Sequence, residues 1–80
     1  MDSKKLRIAE ETLRQVAARE GVTADEVREN IRTAIAAGLA SPSSFVQEYW
    51  KSIPHEGAEP TPEEVILHLA EEARRRMQTE

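Results

Sequence analysis

Apolar residues recur at spacings of three and four along most of the chain, and that period predicts an all-α fold of four helices, or five. Leu6, Ala9, Leu13, Val16 and Ala17 lay one stripe along residues 3–19, behind a few polar residues that fray. A second stripe, Val27, Ile31, Ala34 and Ile35, runs along residues 24–37, and Gly38 follows it as a natural stop. Glu20-Gly21-Val22-Thr23 joins the two. Gly21 supplies the positive φ that a tight corner needs, and Thr23 starts the second helix as an N-cap, with Glu26 three residues on to complete a capping box. Ala17, four before the glycine, lets the helices approach. Residues 12–38 therefore read as a helix-turn-helix.

Beyond it, Ser41-Pro42 opens a short helix over about residues 42–51, with Ser43 or Ser44 as alternative caps. All the aromatic residues fall here. Phe45 and Tyr49 are four apart, as are Val46 and Trp50, which gives two adjacent apolar rows. Phe45 is expected in the core, and Trp50 either there or at a partner interface. Residues 52–60, rich in Pro and Gly, form a connector in which Ile53 tucks inward and His55 and Glu56 are solvated. The last helix covers about residues 61–77. Thr61 caps it, Pro62 takes the first position and Glu64 closes a capping box. Its buried stripe is expected to be Ile66, Leu69, Ala70, Ala73 and Met77, widened by Val65, with Arg74, Arg75 and Arg76 at the end that favours cations.

Composition narrows the setting. A domain of 80 residues buries only about 60% of its unfolded surface. With 39% hydrophobic and 32% charged residues the core must be lean, so a second copy is a natural cover for half-exposed faces. There is no cysteine, hence no disulfide framework and no thiolate metal site. No apolar run approaches a membrane span and the N-terminus lacks the apolar core of a secretory signal, so a soluble, cytoplasmic chain is expected. Net charge is −4. Residues 1–40 balance at seven basic and seven acidic side chains, while residues 41–80 carry four against eight. Nucleic-acid binders usually carry a basic excess, so DNA contact here would rest on a local patch.

That patch would lie on the outer side of the second helix, which carries Asp25, Glu26, Arg28, Glu29, Arg32 and Thr33. In a helix-turn-helix this side enters the major groove, where Arg pairs with guanine and Glu accepts from cytosine. Glu29 can also pair with Arg32 three residues on, as a plain surface ion pair. Other chemistry finds little support. Glu64, His68 and Glu72 share a helix face at i, i+4 and i+8, but with the only other histidine on a loop they read as an ion-pair face rather than metal ligands. Ser41, Ser43 and Ser44 read as caps. No phosphate loop, nucleophile elbow or dinucleotide fingerprint occurs, so neither an enzyme nor a cofactor is expected.

VAAREGVTADEVRENIRTAI, followed after the aromatic segment by EPTPEEVILHLAEEARR, resembles the C-terminal DNA-binding effector domain of the stage-zero sporulation initiation response regulators of Firmicutes. The shared features are the Thr23-Ala24 helix start, Val27, Ile31-Arg32, Ala34-Ile35 and the Pro60-Thr61 entry into a last helix with Glu64 and Ile66, covering about residues 12–76. The resemblance implies an all-α bundle whose second helix-turn-helix segment reads promoter DNA, usually as paired protomers. It places Arg28, Glu29, Arg32 and Thr33 on the groove-facing side. Arg32 matches directly, Arg28 and Glu29 stand in reversed order, and Thr33 replaces a histidine, so the target sequence does not carry over. The receiver domain and the leading helices of that family are not in this sequence, and the connector before Pro60 is longer, as in a stand-alone relative.

Two functions follow. One is a helix-turn-helix transcriptional regulator that contacts DNA through Thr23, Arg28, Glu29, Arg32 and Thr33. The other is a helical interaction module, pairing with its own copy or another regulator, that kept the scaffold and lost DNA.

Overall fold

The glycine corner divides the first half of the chain as expected. The computed structural model describes residues 2–78 as four helices, α1 (Ser3–Glu20), α2 (Ala24–Leu39), α3 (Ser44–Ser52) and α4 (Pro62–Gln78), with no strand among the described residues. Asp2 caps α1 by accepting from the Lys5 amide at 2.9 Å, so the helix is anchored from its first turn. At its other end Gly21 sits at φ 74° and the Val22 amide reaches back to the Ala17 carbonyl, a Schellman closure. Thr23 then caps α2 through its side-chain oxygen on the Glu26 amide, at 3.1 Å.

The core forms where α4 crosses α1 and α2. Ala9, Leu13 and Ala17 of α1 meet Val27, Ile66 and Leu67, while Ile35 meets Ile53 and Val65, with Ile31, Leu39 and Trp50 packed against them. Leu13, Ile35 and Ile53 are fully buried. Removing a side chain of that size from water stabilises by about 1.5–3 kcal/mol. Ile53 thus anchors the connector, as its sequence position suggested, and α3 ends immediately before it.

Four expectations are corrected. Gly38 is not a stop: α2 runs on to Leu39, and Gly38 is buried inside the last turn because Trp50 packs onto it. Phe45 is not core but exposed, since α3 is short and seats on α2 through its other row, with Val46 half-buried and Trp50 on Gly38. The cap of α3 is Ser43, so Pro42 precedes the helix rather than opening it. Finally, only the start of the expected α4 stripe, Val65 and Ile66, is buried. Glu64, Val65, Ile66 and Leu67 are buried, whereas Leu69, Ala73 and Met77 are exposed, because the neighbouring helices cover only the N-terminal half of α4.

The start of α4 is fixed by a closed polar arrangement. The Glu64 carboxylate accepts from the Thr61 amide at 2.9 Å, the Thr61 hydroxyl at 3.1 Å and the Glu56 amide at 3.0 Å. Thr61 Oγ1 accepts in return from the Glu64 amide at 3.2 Å. The expected capping box is therefore present, and it also ties down the connector.

Candidate nucleic-acid interface

The corner holds α2 so that Val27 and Ile35 point inward while Thr23, Asp25, Glu26, Glu29, Arg32 and Thr33 are exposed. Four of the five candidate DNA-contacting residues thus share an open side. The fifth, Arg28, is half-buried at the edge of that side. Its Nε donates to Glu63 of α4 at 2.7 Å and its NH1 to Asp25 at 2.8 Å. The hydrogen bond that Arg28 donates to Glu63 raises its pKa, and the nearby charges of Glu63, Asp25 and Glu10 add to that against the opposing effect of burial. Arg28 is therefore a permanent cation spent on its own fold.

Arg32 is held differently. Its Nε lies 3.5 Å from a Glu29 carboxylate oxygen, and both side chains are well exposed. A contact of that length between solvated groups contributes little, so a phosphate can recruit Arg32 at small cost. Thr33 donates its hydroxyl to the Glu29 carbonyl at 3.1 Å, which turns it back along the helix. Thr23 uses its oxygen as the cap, leaving its hydroxyl proton for a ligand.

The electrostatic balance of this side is acidic. With Arg28 taken up by Glu63 and Asp25, Arg32 stands beside Glu26 and Glu29. Glu63 is the residue that sequence reasoning missed. It lies 35 positions from Arg28, and no local spacing rule pairs residues that far apart.

The remaining candidates resolve into structure. Glu64 is consumed by its cap, while His68 Nε2 lies 3.8 Å from Glu72 Oε1. Among the described residues no three His, Cys, Asp or Glu side chains are grouped to hold a metal ion. No helix of the described residues is long and apolar enough to cross a membrane. His55 is half-buried, its Nδ1 within hydrogen-bond distance of the Ile53 carbonyl, so it is less solvated than its loop position suggested. No protein family, curated protein or solved structure matches the chain.

Proposed function

We propose that this chain is a small DNA-binding domain of helix-turn-helix type, in which α2 is the element laid into the major groove. The observation that carries the reading is the open outer side of α2, held by the Gly21 turn and the Thr23 cap and braced from behind by α4. The sequence resemblance to sporulation effector domains supports it. Arg32 is the contact to a base or phosphate, with Thr23, Glu29 and Thr33 beside it. Arg28 acts as a tether that sets the angle of α2 against α4.

The test is fluorescence anisotropy on duplex DNA at low salt, comparing the wild type with Arg32→Ala. Loss of one arginine contact lowers affinity by at least about fivefold. Equal binding by both proteins would remove Arg32 from the interface.

A second reading, an interaction module without DNA, is favoured by the acidic balance around Arg32 and by the commitment of Arg28 to Glu63. It expects no DNA binding at low salt and places recognition on the exposed apolar residues of α3 and α4.

A further inference from the structure

Two carboxylates hold the Arg28 guanidinium, and they are not equivalent. Asp25, one turn earlier on α2, has a side chain 90% exposed, so water screens its 2.8 Å contact and the pair contributes little. Glu63 comes from α4. Its side chain is 21% exposed against 26% for Arg28, and their 2.7 Å contact is correspondingly less screened. Glu10 of α1 adds a third negative charge nearby. Glu63 belongs to the first turn of α4, where the helix dipole favours an acid. The next residue, Glu64, is buried and bonded to the Thr61 and Glu56 amides, which pins that turn. The backbone that carries the Glu63 carboxylate is therefore fixed beside α2.

Arg28 has a second place to go. It precedes Arg32 by four residues, so the two arginines are neighbours on the surface of α2. Its Nη1 already reaches Asp25 on the open side. A DNA phosphate can take the place of Asp25 at little cost. Drawing the whole guanidinium outward is different, because it breaks the bond to Glu63 and leaves that half-buried carboxylate unpaired. Carboxylate and phosphate oxygens accept the same charge-assisted hydrogen bonds from arginine, so the two compete for one set of donors.

We propose that Glu63 is a built-in competitor of DNA for Arg28, an autoinhibitory contact that leaves Arg32 as the working arginine until the Glu63 carboxylate is removed. This rests on reading α2 as the DNA-facing helix.

Anisotropy titrations with random duplex DNA test it through a double-mutant cycle. Glu63→Gln keeps an oxygen for Arg28 but removes the charge, and Glu63→Ala removes both. Affinity therefore rises in the order wild type, Gln, Ala, by about fivefold or more for the alanine variant. The slope of log affinity against log salt steepens by about one, the mark of one more phosphate contact. Loss of a negative charge strengthens DNA binding by itself, and Arg28→Ala separates that effect. In its background the gain from Glu63→Ala shrinks by about threefold or more and the added slope disappears. Circular dichroism melts confirm that each variant is folded at the assay temperature. A gain that survives Arg28→Ala undiminished, or Glu63 variants that bind no more tightly than the wild type, overturns the competition and leaves α2 on DNA. Absence of binding in the wild type and in both Glu63 variants overturns both readings.

Discussion

Trp50 lies so closely over Gly38 that a Cβ added to the glycine would clash with the indole Nε1 and Cδ1. The contact joins α2 to α3 and explains why a helix carries a buried glycine in its last turn. Gly38→Ala gains up to about 1 kcal/mol of helix propensity but forces the ring aside, an overpacking cost of about 1–3 kcal/mol. Net destabilisation of about 1–2 kcal/mol is expected in denaturant unfolding. In a Trp50→Ala background the same substitution should become neutral or stabilising, and a cost undiminished there would refute the contact.

Gly21 presents the opposite case. Nothing lies within 4 Å of a Cβ built there, so the cost of Gly21→Ala is purely that of holding an L-residue at φ 74°. About 1–2 kcal/mol is lost, and Gly21→Asn, which visits that region more readily, should lose less. Thermal melts of the two variants check the order.

Glu64 is buried under three donors. Glu64→Ala leaves the Thr61 and Glu56 amides without that acceptor, at about 1–3 kcal/mol. Glu64→Gln keeps one oxygen and should fall between the alanine variant and the wild type. Amide exchange at Glu56 and Thr61 should quicken in the alanine variant, and unchanged protection would show that the carboxylate does not hold them.

Arg28 and Arg32 should separate by assay. Arg28→Ala strands a partly buried Glu63 and destabilises the fold by about 1 kcal/mol, while DNA affinity changes less than with Arg32→Ala. Arg32→Ala should leave the unfolding midpoint almost unmoved. Because its pKa is raised, Arg28 stays charged in the fold through its ordinary titration range, and its contribution, full below that range, is lost only as pH climbs from there through the higher folded value. No dependence on this group is expected between pH 5 and 9.

The local chemistry of the fold was legible in the sequence: the Gly21 corner, the Thr23 cap and the Thr61–Glu64 box depend on residues within four positions of one another. What depended on distant packing was not. A glycine near a helix end looks the same whether it stops the helix or receives a tryptophan, so Gly38 was misread. Periodicity tells which residues share a face and not whether anything covers it, which is why Phe45, Leu69 and Met77 were expected inside. The outer side of α2 could be read from spacing, but the withdrawal of Arg28 from it required Glu63, which only the fold brings near.

The central claim, that α2 is a DNA-facing helix, is tested most directly by titrating salt against the affinity for random duplex DNA. A domain that neutralises one to three phosphates should bind at low salt, with log affinity falling against log salt at a slope between about −1 and −3. No detectable binding at low salt, or an affinity indifferent to salt, would contradict the claim and leave the interaction reading in its place.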